Sequence, residues 1–159
     1  MHTRRALMLL APAALMIAQE KKKFEKGPPL DGALVKEFVG AAHGKLDKTK
    51  EMLAAQPALL NATWDWGGGD FETGLGGASH MGNREIAEFL ISQGARADIF
   101  AVAMLGKIEA VKAFVKAFPG IELSLGPHKI PLLVHAKKGG ERAAAVVAYL
   151  ESPSRDDLH

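Results

Sequence analysis

Four glycines, Gly44, Gly82, Gly106 and Gly139, punctuate the chain in the same way. Each follows a short run of small and apolar residues and precedes a longer stretch whose apolar residues recur at three and four positions. The segments are 34–53 (LVKEFVGAAHGKLDKTKEML), 73–90 (TGLGGASHMGNREIAEFL), 99–115 (IFAVAMLGKIEAVKAFV) and 130–150 (IPLLVHAKKGGERAAAVVAYL). Glycine ends a helix in a left-handed conformation that other residues resist, and the following periodicity defines one apolar helix face. A unit this short cannot bury its own apolar face, so units of this kind must stack on one another. The intervals between the glycines are 38, 24 and 33 residues. Taking 33 as the period, the excess in the first interval falls at 64–69 and the deficit in the second at 94–99. In the fourth unit the register stays open by one residue between Gly139 and Gly140.

The second and third units resemble ankyrin repeats. Thr73-Gly74-Leu75 stands where that family has Thr-Pro-Leu, and the stretch from Gly82 to Ala95 (GNREIAEFLISQGA) follows its Gly-x-x-Glu-Ile-Val-x-Leu-Leu-Leu-x-x-Gly-Ala pattern. Gly106 to Phe114 (GKIEAVKAF) repeats the first part of it. The resemblance covers roughly 34–150 and implies an all-α stack of about four helix-turn-helix units, with atypical outer units and one shortened hairpin. Departures from the pattern are specific. Gly76 and Leu133 occupy the place of the family's histidine, which ties neighbouring repeats together. A tetratricopeptide array is the alternative, but it lacks the Gly-Ala ending of the second helix.

Ahead of this domain lies an N-terminal segment of different character. Arg4 and Arg5 precede thirteen uncharged residues, Ala6 to Ala18, in the layout of an export signal, cleaved or kept as an anchor. That run is short of the roughly 20 apolar residues a membrane span needs. Residues 19–29 read as a basic, Pro/Gly-containing tether, 30–152 as the repeat domain and 153–159 as a polar tail. The expected location is therefore outside the cytoplasm, periplasmic or secreted, with membrane contact only through an uncleaved signal. Removing the two arginines takes the 20 basic residues to 18, equal to the 18 acidic ones. Nucleic-acid binding depends on a surplus of Lys and Arg, so nucleic acid is not an expected partner. There is no cysteine, which excludes disulfides and thiolate chemistry.

The resemblance implies a second protein as partner, bound by a monomeric domain. In such stacks the two residues before each turn glycine face the concave side. Here these include His43, His80 and Met81, Met104 and Leu105, and Lys137 and Lys138, an apolar centre with a basic rim, unless Met104 and Leu105 pack under a neighbouring loop. Ala42 precedes His43 on the same face. The stretch 61–72 (NATWDWGGGDFE) sits where ankyrin fingers project and holds both tryptophans, three glycines and three carboxylates. Trp66, Asp70, Phe71 and Glu72 are its candidate contacts, since tryptophan is enriched at binding hot spots. Trp64 is the candidate to pack on Leu59 and Leu60, and one tryptophan can also cover the small residues Gly74, Gly76, Gly77 and Ala78.

The rival reading is a small hydrolase or metal-binding protein centred on Asp70, Glu72 and His80, with Asp65 nearby. Such groups can hold a cation or form an acid/base pair. Their spacing matches no compact metal motif, and carboxylates in glycine-rich turns commonly bond local backbone donors. His43, His128 and His135 read as isolated by the same test, with His135 a core histidine. No Gly-x-Ser-x-Gly elbow or phosphate-binding loop occurs. From the sequence, then, a binding module is expected, without catalytic residues, cofactor or metal.

Overall fold

A computed structural model describes residues 26–152. The export segment, most of the tether and the C-terminal tail lie outside the described residues.

The described residues are mostly helical and run as four successive helix pairs. They are α1 (Gly32–Ala42) with α2 (Leu46–Ala55), α3 (Gly74–Met81) with α4 (Arg84–Ser92), α5 (Ile99–Met104) with α6 (Ile108–Ala117), and α7 (Leu132–Lys138) with α8 (Ala144–Glu151). The first three pairs begin on side-chain caps. Asp31 accepts from Leu34 N–H, Thr73 from Gly76 N–H and Asp98 from Ala101 N–H, each satisfying one orphan donor of the first turn. Gly82 and Gly106 end α3 and the α5 turn at φ of 76° and 71°, as the sequence requires. In the fourth unit Gly140 takes the left-handed conformation (φ 62°), while Gly139 stays right-handed. The open register is thereby settled, and a 3-10 turn (Gly140–Ala143) delays α8.

First helices pack against first helices, α1 on α3, α3 on α5 and α5 on α7. One aliphatic cluster joins the first two pairs to α5 through Phe38, Val39, Leu59, Leu75, Leu90 and Met104. A second joins the last two through Ile99, Val111, Leu132, Val146 and Leu150. The excess implied by the glycine spacing before Gly82 is structured, and so is a long connection later in the chain that the spacing does not signal. Strands β1 (Thr63–Asp65) and β2 (Phe71–Thr73) form an antiparallel hairpin between the first and second pairs, with Trp64 opposite Glu72. Strand β2 runs straight into α3, so Glu72 stands at the root of that helix. Between α6 and α7, a connection of two 3-10 turns carries His128 back towards the hairpin. No helix among the described residues is long and apolar enough to cross a membrane.

Several expectations about exposure are overturned. Met104 and Leu105 are buried in the first cluster, as is Ala42. The Arg84 guanidinium donates to the Met104 and Leu105 carbonyls and clamps this helix end under the neighbouring turn. His80 and Glu72 are buried too. Among the other candidate contacts, Phe71, Met81, Lys137 and Lys138 are exposed. Trp64 is only half-buried, and its ring lies against Gly32 and under Lys36 of α1. The small residues of α3 are not covered by a tryptophan. A Cβ at Gly77 would lie 2.8 Å from the His43 ring and one at Gly74 would lie 2.9 Å from Phe38, so α1 itself fills that space.

Candidate metal centre

His43 reaches the site from the end of α1, His80 from the last turn of α3, Glu72 from β2 and His128 from the long connection. One donor atom from each lies within 4.8 Å of every other. His43 Nε2 is 3.1 Å from His80 Nε2. It is also 3.3 Å from Glu72 Oε2. Glu72 Oε1 is 2.9 Å from His80 Nε2 and 3.6 Å from His128 Nε2. The site is closed at the back, where the Glu72 and His80 side chains are 0% and 9% exposed, and open at the rim, where His43 and His128 are 24% and 33% exposed.

Supporting contacts fix which ring nitrogen faces inward. His43 Nδ1 lies 2.9 Å from the Val39 carbonyl, which can only accept, so Nδ1 donates and Nε2 of the neutral ring presents a lone pair. Asn83 donates its side-chain amide to the His43 carbonyl and pins this helix end to the next unit's turn. Asp70 grips His128 twice. One carboxylate oxygen accepts the backbone N–H at 2.7 Å and the other accepts Nδ1–H at 2.6 Å. His128 needs this grip because it and Lys129 both stand at positive φ, 58° and 57°, where a non-glycine residue is uncommon. With Nδ1 on Asp70, the neutral His128 ring also turns a lone pair towards Glu72.

Three imidazole nitrogens and one indole N–H therefore face the Glu72 carboxylate. Trp66 Nε1–H donates to Oε2 at 2.7 Å. The other oxygen, Oε1, is fully buried without a hydrogen-bond partner. His80 Nε2 lies 2.9 Å from it and 3.1 Å from His43 Nε2. Burial pushes the Glu72 pKa up, and its interactions with His43, His80 and Trp66 outweigh that and lower it from 4.5 to about 2. His43 is shifted the other way. Its interaction with Glu72 raises its pKa above 6.5, against the desolvation that lowers it. Asp70 is held below the usual carboxylate range, first by the His128 backbone N–H and then by its ring.

Of the rival group named from the sequence, Glu72 and His80 thus meet directly, and Asp70 joins them through His128. Asp65 does not take part, because its carboxylate closes the hairpin tip by accepting from Gly67 and Gly69 N–H. His43 and His128 are not isolated, which corrects that expectation. His135 is the core histidine foreseen. It is buried, with Nδ1 3.1 Å from the Pro131 carbonyl, and burial lowers its pKa. Trp66 is 38% exposed, yet its indole N–H serves Glu72. Beside the cluster, a cavity of about 850 Å³ runs between the hairpin tip and the connection, with Asp70 and His128 in its wall and Phe100, Leu125 and Lys129 around it.

Neither a protein family, nor a curated protein, nor a solved structure matches this chain.

Proposed function

We propose that this is an ankyrin-like helical repeat domain that binds one divalent transition metal ion of the zinc class through His43, Glu72, His80 and His128. The observation that carries the reading is Glu72 Oε1, a buried carboxylate oxygen with no hydrogen-bond partner, facing inward-turned imidazole nitrogens. Lone pairs converging on a carboxylate repel one another until a proton or a cation is shared among them. The separations of 2.9 to 3.6 Å suit a metal. A tetrahedron with bonds of about 2.0–2.1 Å has edges of about 3.3 Å.

Donor chemistry selects the cation. Three imidazoles and one carboxylate suit zinc, iron, nickel or copper, whereas magnesium and calcium prefer all-oxygen sites. Asp70 supplies the outer contact typical of metal-ligating histidines, a carboxylate on the far ring nitrogen that fixes orientation and raises basicity. The Val39 carbonyl does the same for His43. Because the four ligands come from the first pair, the hairpin, the second pair and the connection before the fourth, a bound ion would tie distant parts of the stack together.

Calorimetric titration of the full chain with zinc tests this. One ion per chain is expected, and His80→Ala should abolish the tight isotherm. Equal binding by wild type and His80→Ala would overturn the reading. The protein-partner reading continues to draw support from the exposed Phe71, Met81, Lys137 and Lys138, which lie outside the ligand set. Its export remains a proposal resting on residues 1–18, and a hydrolytic role would need substrate in the cavity walled by Asp70 and His128.

A further inference from the structure

The connection between α6 and α7 is held unlike the rest of the described chain. Not one residue from 116 to 131 is buried, and the stretch passes beside the cavity of about 850 Å³, where Leu125, Gly126, Pro127, His128 and Lys129 form one wall. Its backbone bonds close on themselves, with Leu123 N–H on the Gly120 carbonyl, Gly126 N–H on Ile130 and Ile130 N–H on Pro127. Among the described residues, the hydrogen bonds that fasten it to an element it does not adjoin in sequence both leave from His128 and both end on Asp70. We propose that residues 119–131 are a metal-controlled latch: an ion ligated by His128 Nε2 fastens the connection to β2 and α3, and loss of the ion frees it and takes down that wall of the cavity. This rests on the metal-binding reading and deepens it.

A surface segment keeps one conformation only if its attachments outweigh the backbone entropy it gives up. Here apolar burial contributes little, because Phe118, Leu123 and Leu125 all stand exposed. His128 and Lys129 follow one another at φ 58° and 57°, a conformation that costs a non-glycine residue energy. The Asp70–His128 pair is itself partly exposed, where ion pairs contribute little. Ligation to a metal is the larger restraint, since metal binding free energy is realised as ordering of the segments that supply the ligands. The ion therefore decides whether the connection is fastened.

What the latch covers is visible at Gly126. A Cβ there would lie 3.0 Å from the His135 ring and 3.2 Å from that of Phe100, so the backbone rests directly on both. Beneath it His135 is fully buried, and its Nε2 has no hydrogen-bond partner. Gly126 is only two residues from His128, so a connection freed at His128 also lifts from Phe100 and His135. An unpartnered buried nitrogen regains hydration when it is uncovered, which favours the released form once the ion is gone. An ion bound between α1 and α3 thus controls whether the seam between α5 and α7 is covered.

Trypsin cleavage after Lys129 reads the latch, because a protease cuts the locally opened chain and Lys129 is exposed but folded at positive φ. Cleavage after Arg96, exposed in the loop before α5, is the internal control. In the full chain, saturating zinc should slow cleavage after Lys129 about tenfold or more relative to chelator, and should change cleavage after Arg96 by less than about twofold. Two ligand substitutions separate the latch from general stabilisation by the ion, each at a zinc concentration that calorimetry shows to be saturating. His43→Gln should keep the protection at Lys129. His128→Asn, whose side chain tolerates the positive φ at that position, should lose it. Circular dichroism checks that each variant is folded, and His128→Gln repeats the comparison if His128→Asn is not. Zinc binding without protection at Lys129, or with equal protection at Arg96, would overturn the latch while leaving the metal site intact. Protection kept in His128→Asn, or lost in both variants, would overturn His128 as the fastening. Failure of the wild type to bind zinc would overturn the metal reading itself.

Discussion

Two seams between first helices, α1 against α3 and α5 against α7, are built alike and end differently. Each contains a histidine whose Nδ1 faces the carbonyl four residues earlier, His43 on Val39 and His135 on Pro131. At the second seam the ring is surrounded by apolar groups, with Phe100 4.9 Å away, and burial lowers its pKa. At the first seam Glu72 stands beside the ring and the pKa rises. A buried imidazole alone is a packing residue. The same imidazole joins a cluster of donor groups when a carboxylate and two further rings arrive from elsewhere in the chain.

That contrast can be broken most forcefully at Met104, which is fully buried in the apolar cluster that joins the first two pairs to α5. Met104→Ala should cost about 2–5 kcal/mol, as large-to-small core changes do, while zinc affinity in the folded fraction stays within about twofold. Denaturant melts paired with zinc titration measure both. A large loss of zinc affinity there would show that the two seams are not separable.

Substituting within the ligand set should do the reverse. Glu72→Gln keeps the shape, yet should weaken zinc binding by more than about a hundredfold. Asp70→Asn, which acts through His128, should weaken it by about 10–100-fold, the usual range for outer contacts. If both changes left zinc affinity unaltered, the cluster would be a hydrogen-bonded network only.

Smaller in size, but specific in sign, is the response to pH. Glu72 has a depressed pKa, so its contribution is present above 4.5 and is lost as pH falls towards about 2. His43 has a raised one, so its contribution is complete below 6.5 and is lost as pH rises through its folded value. In the presence of a chelator the melting temperature should therefore fall above pH 6.5. With zinc it should rise over the same interval, because metal binding displaces the His43 proton. Parallel curves with and without zinc would count against a shared site. At the small end, Glu109→Ala removes only an exposed pair with Lys112 and should change stability by less than about 0.5 kcal/mol.

How much of this could be read from the chain follows the same division. The helix pairs are legible because Gly82 and Gly106 mark obligatory left-handed turns, and because Asp31, Thr73 and Asp98 cap the helices locally. The hairpin is legible from the excess spacing before Gly82. Glu72, His80 and Asp70 were within reach as a group, since all lie in the second unit or its finger. His43 and His128 were not, because 37 and 48 residues separate them from His80 and only stacking brings them together. One signal was nevertheless present. His43 and His80 both stand just before a turn glycine in successive units, so stacking must align them, an alignment that fits a docking face equally well. Met104 and Leu105 occupy the same place in the third unit, where an exposed and a packed reading both stand from the sequence, and the packed one holds, with Arg84 capping their carbonyls from 20 and 21 residues away.

X-ray absorption at the zinc edge of the full chain carrying one equivalent of zinc bears most directly on the metal centre. Four or five nitrogen and oxygen neighbours at about 2.0–2.1 Å, with outer-shell scattering from three imidazoles, are expected, and His128→Ala should remove one imidazole's share. A shell of oxygen alone, or an imidazole signal unchanged by His128→Ala, would contradict the proposed centre.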